Sequence, residues 1–454
     1  MHQRRPRPNI EPPPFPKGEP GTLQNKTDIE ITEEYRKVEA LIAADEPLIF
    51  VTGKAGTGKS TLIQYLRDTV RADCVVLAPT GVAAMNIQGA TIHSFFRFPP
   101  RMLTDADATE VAFKKPYKKL RLLILDEISM VRADVLDAVD RFLRLNGPDR
   151  DRPFGGVQLL MIGDLHQLPP VVSNQDERQR FDTEYETPFF FSSRALAGIE
   201  IAALELTKVF RQQDPHFIEL LNQVRLGAPT SDALGQINTR VTPHADANRE
   251  TVLATTNLIA DRINKRHLAS LPTVRRSYHG ETLGLFPTVN ERLPSPMELM
   301  LKKDTRVMFT KNDSQARWVN GSLGTVMKMH DHTVMVELDE TGKKVEVTEA
   351  TWSTYKYEYD EDEQRNVPVV SGSFTQLPLT FAWAITIHKS QGKTLSATRI
   401  DLGRSAFAPG QVYVALSRCR RLKDLSLSRQ ISPHDVFCDQ RVKAFYESLF
   451  AAAR

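Results

Sequence analysis

Leu48-Ile49-Phe50-Val51-Thr52-Gly53-Lys54-Ala55-Gly56-Thr57-Gly58-Lys59-Ser60-Thr61 is the stretch on which the reading of this chain turns. Its first half is an apolar run rich in β-branched and aromatic residues, the pattern of a buried strand. A glycine-rich turn follows, and then Leu62, Ile63, Leu66 and Val70 recur at helical spacing. Strand, turn and helix together are the context a phosphate-binding loop requires. Gly53, Gly56 and Gly58 allow the backbone to curl, so that the amides of Lys54, Ala55 and Thr57 can face phosphate oxygens at the positive end of the helix. Lys59 is placed to reach the outer phosphates, Ser60 to offer a hydroxyl to Mg²⁺, and Thr61 closes the segment. The expectation is a nucleoside-triphosphate site, with a purely structural glycine turn as the bland alternative.

The bulk numbers set limits around that core. A chain of 454 residues exceeds one hydrophobic core, so several domains are expected. The net charge is only +3, so a nucleic-acid surface would have to come from local clustering. Cys74, Cys419 and Cys438 lie far apart without metal spacing, which fits reduced thiols in a cytosolic compartment and argues against structural zinc. No apolar run nears the roughly 18 residues of a membrane span, and no apolar signal segment opens the chain. Residues 1–28 are Pro-rich, with Arg4, Arg5 and Arg7 near the start, and read as a disordered tail.

Residues 29–205 alternate strand and helix. Cys74 to Ala78, Leu122 to Leu125 and Val157 to Ile162 are near-continuous apolar runs, and each ends in a polar motif. That pattern means a parallel sheet covered on both faces, with ligands beyond the strand C-termini. The pattern restarts over 206–454. Asp214 as N-cap, Pro215 as first helical residue and Gly227 past the end bracket a helix. Over about 304–377 the apolar period shifts towards two, with turns at Asn320-Gly321 and Thr341-Gly342, so a small β-barrel inserted in the second unit is expected. The acidic run from Asp360 to Glu363 reads as a solvated loop.

Asp126 and Glu127 follow an apolar strand. Hydrolysis of ATP needs one carboxylate to hold Mg²⁺ and another to orient or deprotonate the attacking water, so Asp126 is assigned to the metal beside Ser60, and Glu127 to the water. An acidic pair at a helix start would look the same. Gln167, in the loop after the fourth strand, has an amide suited to sensing the γ-phosphate. Arg211 and Arg418 lie beyond the first unit and can supply the charge stabilisation that phosphoryl transfer requires. If both come from the second unit, ATP lies in the cleft between units. Surface or salt-bridged arginines are the alternative for both.

The ordered series GKAGTGKST, APTGVAA, TIHSFF, DEISM, GDLHQLPPV, LTKVFRQ, LTFAWAITIHKSQG and VYVALSR resembles the superfamily 1B DNA helicases of the Pif (petite integration frequency) type, with RecD and Dda more distant. The segment 134–156 looks like the signature of the Pif group. The resemblance covers about residues 35–445. It implies an α/β fold of two tandem RecA-like domains, 29–205 and 206–454, with a wedge insertion at about 96–120 and a Src-homology-3-like barrel at about 304–377. It also implies ATP and Mg²⁺ as cofactors, 5′-to-3′ translocation on single-stranded DNA and unwinding of tailed or forked duplex DNA, in replication, repair or recombination. G-quadruplexes and RNA–DNA hybrids are further substrates in the family. A monomer without membrane attachment is expected. The expected compartment is a bacterial or phage cytosol near the nucleoid, or nucleus or mitochondrion for a truncated eukaryotic core.

On the DNA side the resemblance places Pro79, Thr80, His93, Ser94, Phe95, Thr386, His388 and Lys389, together with the segment up to Gln391. Their hydroxyl, imidazole and ammonium groups suit phosphate oxygens. Phe95 and Phe96 either stack on bases or belong to the core, and Trp383 reads as core. Lys114, Lys115, Lys118, Lys119 and Arg121 either form the duplex-splitting wedge or a charged solvated helix. One departure stands out: no glutamine lies between Gln24 and Lys59 to read adenine, so no adenine contact is assigned. The competing readings are a RecD- or Dda-like helicase, and a DNA-stimulated ATPase or translocase that remodels protein–DNA complexes without unwinding.

Overall fold

The structure, a computed structural model, describes residues 30–70, 73–172, 175–243, 250–286, 293–362, 364–395 and 397–450. The Pro-rich segment 1–28 and Gln24 lie outside them. Among the described residues no helix is long and apolar enough to cross a membrane.

The first unit is built on six strands: β1 (Leu48–Gly53), β2 (Cys74–Ala78), β3 (Ala90–Thr91), β4 (Leu122–Leu125), β5 (Gln158–Ile162) and β6 (Ala202–Leu206). They form one parallel sheet in the order β3-β2-β4-β5-β1-β6. Successive residues of these strands point to opposite faces. Leu48, Phe50, Val75, Leu77, Leu123, Leu125, Leu159 and Met161 enter one apolar core. Ile49, Val51, Val76, Ile124, Leu160 and Ile162 enter the other. Both faces are therefore buried, which is why the strands read as unbroken apolar runs rather than alternating ones.

The sheet of the second unit starts with β7 (Thr251–Ala254). Helix Pro215–Arg225 precedes it, with Asp214 accepting from the His216 amide at 3.0 Å and Gly227 at φ 67° after its end. The insertion then supplies β8 (Arg276–His279), β9 (Glu281–Gly284), β10 (Glu298–Leu301), β11 (Arg306–Phe309), β12 (Leu323–Met329), β13 (Val334–Leu338), β14 (Lys344–Val347), β15 (Ala350–Asp360), β16 (Arg365–Gln376) and β17 (Leu379–Phe381). The chain returns through β18 (Ala384–Thr386), β19 (Thr398–Asp401) and β20 (Leu425–Leu427), which with β7 form a parallel sheet in the order β18-β7-β19-β20.

The insertion is larger than 304–377 and is not one sheet. Strands β14-β13-β12-β11-β17 form one, β15-β16-β9 a second and β10-β8 a third. Tyr278, Leu299 and Leu301 share a core with Val307, Phe309, Trp318 and Val336, so the insertion begins near Arg276. Strands of four residues carry too few alternations to register as a period in sequence.

Two contacts tie parts that sequence alone keeps separate. The long β15–β16 hairpin lies on the first unit: Tyr357 Oη accepts from the Val76 amide at 3.1 Å, Asn366 Nδ2 donates to Asp73 Oδ2 at 3.1 Å and to Pro116 O at 2.7 Å, and Glu361 pairs with Lys115. The acidic run lies at the exposed turn of this hairpin, with Glu361 and Asp362 exposed as expected for a solvated loop and Glu363 outside the described residues. The last helix, Gln440–Phe450, was expected within the second unit, yet it packs on the first sheet. Its Val442, Phe445, Tyr446 and Leu449 form a helical stripe against that core, with Phe445 stacked 4.5 Å from Phe191.

Candidate nucleotide cleft

The loop after β1 has the shape the glycines were read for. Gly58 caps helix Lys59–Thr69 in the left-handed region at φ 87°, and a side chain there would strike Tyr35 Oη. Tyr35 Oη instead donates to Gly58 O at 2.8 Å. Lys59 Nζ donates to Gly53 O at 2.7 Å and Lys54 O at 3.1 Å, so the ammonium lies within the loop's own concavity. Burial pulls its pKa down, opposed by Asp164 and Glu127. Thr57 Oγ1 donates to Lys54 O, Ser60 is exposed at the helix start, and Thr61 is half-buried next to Tyr35.

Asp126 and Glu127 follow β4. Burial, and then the neighbouring Glu127, push Asp126 up to about 7; burial likewise raises Glu127, against the pull of Lys59 and Arg418. Two adjacent carboxylates desolvated in this way are a donor set that a divalent cation satisfies. Glu127 also sits at φ 49°, ψ 45°, left-handed for a residue with a side chain. Such a conformation costs on the order of 1–3 kcal/mol, and the packing of Ile128 against the Gly163 backbone holds it.

Arg211 and Arg418 meet this site. A side chain on Gly56 would strike Arg211 Cβ at 2.5 Å, so the loop and Arg211 are in direct contact. The Arg211 guanidinium donates to Ser417 O at 3.4 Å and Gly392 O at 3.2 Å. Arg418 is 1% exposed and donates to Val414 O, Ser390 O, Lys393 O and Ser417 Oγ. Burial, and then the Arg211 charge, push Arg418 down to about 9, with Glu127 pulling the other way.

Gln167 is buried, and its Oε1 accepts from Gln391 Nε2 at 3.3 Å. Gln391 also donates to Glu127 Oε2 at 3.3 Å. This corrects the sequence reading: Gln391, grouped with the DNA-side segment, stands in the nucleotide cleft. Four other residues were missed. Asp164, fully buried, accepts from Arg225 Nη2 at 3.1 Å and from Tyr413 Oη at 3.3 Å; burial alone would raise it, but Arg225 and Lys59 outweigh that and hold it ionised. Phe210, 40% exposed, stands beside Gly58, and its amide donates to Gly56 O at 2.9 Å. A buried Asp–Arg pair between two units leaves no local pattern, so only Asp164 within GDLHQLPP carried any signal.

His166 lies next to this network. Its ring stacks 4.9 Å from Tyr446, and Nδ1 is 3.2 Å from Cys438 Sγ. Burial, and then Arg225, push it down from 6.5 to about 4. Below pH 6.5 the unfolded chain takes a proton that the folded chain refuses until about pH 4. Stability present above 6.5 is therefore lost as pH falls through that window, by about 3 kcal/mol. Asp126, raised, acts in the opposite sense, so the quantity to measure is the difference between the parent and His166→Gln. Urea midpoints from pH 7 to 4 are expected to fall more for the parent.

The DNA-side residues lie at or just past strand C-termini. Thr80 and Thr91 cap the helices Gly81–Asn86 and Ile92–Phe96, and Thr386 accepts from the Lys389 amide at 3.2 Å. A capping hydroxyl keeps its own proton to donate. Ser94 and Lys389 are exposed; Pro79, His93 and His388 are half-buried; Thr386 is 5% exposed. Phe95 is a correction. Its ring is packed edge-on against Phe96, Tyr117 and Tyr357, so it belongs to the core and presents no open face to a base. Trp383 is also core. In the segment 96–120, Lys114 and Lys115 are paired with Glu110 and Glu361, while Lys118 and Lys119 are exposed.

A family model described as PIF1-like helicase matches residues 28–233. The ATP-dependent DNA helicase Pif1 of Bdellovibrio bacteriovorus is 32% identical over 430 residues, covering 92% of this chain and 92% of that protein. The mouse ATP-dependent DNA helicase PIF1 is 34% identical over 93% of this chain, which spans 63% of the mouse protein's length. Among solved structures, a Bacteroides Pif1 in complex with ADP-AlF4 superposes with a TM-score of 0.86 at 37% identity, over 94% of this chain and 98% of that one. The same relative bound to single-stranded DNA gives 0.67 over the same shares.

Proposed function

The chain belongs to the PIF1-like helicase family, and from that premise we propose that it is an ATP-dependent DNA helicase moving 5′ to 3′ on single strands and opening tailed or forked duplexes. The observation that carries this reading is the meeting of two units at one site. Arg211, Gln391 and Arg418 reach the loop and the carboxylates of the first unit. A site completed only by both units links the presence of a γ-phosphate to their spacing, and that link is what converts hydrolysis into movement along a strand.

In this reading the amides from Gly53 to Thr61 and Lys59 hold the phosphates, and Ser60 and Asp126 hold Mg²⁺, which would neutralise phosphate charge. Glu127 orients and deprotonates water, Gln167 reports the γ-phosphate through Gln391, and the two guanidinia stabilise the charge that develops in transfer. Phe210 offers the purine a flat ring, a contact that needs no upstream glutamine. Thr80, His93, Ser94, His388 and Lys389 grip phosphates of the strand, without sequence preference. G-quadruplexes are included as substrates on the strength of the family resemblance.

Strand displacement with ATP and Mg²⁺ on two partial duplexes, one with a 5′ and one with a 3′ single-stranded tail, tests the proposal. Opening of the 5′-tailed substrate alone is the expected result. Opening from the 3′ tail would contradict the polarity, and hydrolysis without displacement of either would replace the helicase with a translocase.

A further inference from the structure

A short helix, Gln411–Leu416, has every residue buried and carries Arg418 two residues beyond its end. Its start is pinned. Gly410, at φ 72°, caps it, and a side chain there would strike His166 O and Gln167 O at 2.2 and 2.5 Å. Only glycine fits that approach, so the helix begins against the loop that carries Gln167. At its far end, Arg418 Nε donates to Val414 O at 2.8 Å, so the guanidinium follows the helix rather than moving freely.

Between these ends stands Tyr413, 2% exposed. Its Oη accepts from the Ala55 amide of the phosphate loop at 2.8 Å and donates to Asp164 Oδ2 at 3.3 Å. A phenol has one proton, and here the direction of each bond is forced: an amide can only donate, and an ionised carboxylate can only accept. Asp164 Oδ1 is already taken by Arg225 and by the His166 amide. The hydroxyl therefore joins the phosphate loop, the loop of Gln167 and the helix of Arg418 at a single atom.

We propose that Tyr413 is a positioning residue for hydrolysis: its hydroxyl registers the Arg418 helix against the phosphate loop, so that Arg418 stands where the transferred phosphoryl group will be. The inference rests on the ATPase reading above. It assigns Tyr413 no contact with nucleotide; it acts through Arg418.

Tyr413→Phe keeps the ring and removes the bridge. Steady-state hydrolysis with saturating single-stranded DNA should show kcat lowered by about tenfold or more, with KM for ATP within about threefold. Thermal midpoint and affinity for the DNA strand should stay near those of the parent. Because the hydroxyl acts through Arg418, Tyr413→Phe combined with Arg418→Ala should be no slower than Arg418→Ala alone. Unchanged kcat would overturn the proposal. So would penalties that multiply in full, since Tyr413 would then act independently, and so would a fall in thermal midpoint that accounts for the whole loss, which marks a purely structural role. Lys59→Ala in the same assay separates the two levels. If it hydrolyses like the parent, the ATPase reading fails; if it is inactive while Tyr413→Phe is unaffected, only this inference fails.

Discussion

Glu127→Gln is expected to bind ATP with parental affinity and to hydrolyse it about 10²–10⁴-fold more slowly, the range lost when a general base is removed. The substitution is close to isosteric, and its amide oxygen can still accept from Gln391 Nε2, which donates to Glu127 Oε2 at 3.3 Å in the parent. What disappears is basicity: burial raises the Glu127 pKa above the ordinary carboxylate range, against the pull of Lys59 and Arg418, and an amide has no such basicity. The left-handed backbone at φ 49° aims the side chain across the cleft, and the amide inherits that aim. Single-turnover hydrolysis, paired with nucleotide binding in the absence of turnover, separates the two steps. Near-parental turnover would remove Glu127 from the chemistry and shift attention to Asp126 and Asp164, the other buried carboxylates beside it.

Arg418→Ala is expected to lower hydrolysis by about 10³-fold or more while sparing binding of ATP and of single-stranded DNA. Arg418 is almost fully buried and donates to three carbonyls and one hydroxyl. Burial, and then the neighbouring Arg211 charge, push its pKa down to about 9, more than Glu127 offsets. Such a charge costs stability in the empty site and is offset when phosphate arrives. The two expectations separate clearly. Activity should collapse, yet the thermal midpoint should remain within a few degrees, because the variant also sheds an expensive buried charge. A large loss of midpoint with proportional loss of activity would instead make Arg418 a structural residue.

Much of this was legible along the chain because its causes are local. The phosphate loop depends on glycines at fixed offsets after an apolar run, and the parallel first sheet depends on strands apolar on both faces; Leu48 to Thr61 and Leu122 to Glu127 state these directly. The motif order from Gly53 to Arg418 sufficed for the family. Tertiary structure decided what distance in sequence conceals. Phe95 resembles a stacking ring until Tyr117 and Tyr357 close over it from other segments. Gln391 resembles a DNA-side residue until Glu127 and Gln167 are found within hydrogen-bond reach. The last helix leaves the second unit because Phe445 and Tyr446 find their aromatic partners at Phe50 and Phe190. Tyr413, Asp164 and Arg225 lie in three separate segments and have no spacing to read; burial alone, by requiring each of their polar atoms to find a partner, makes them one network.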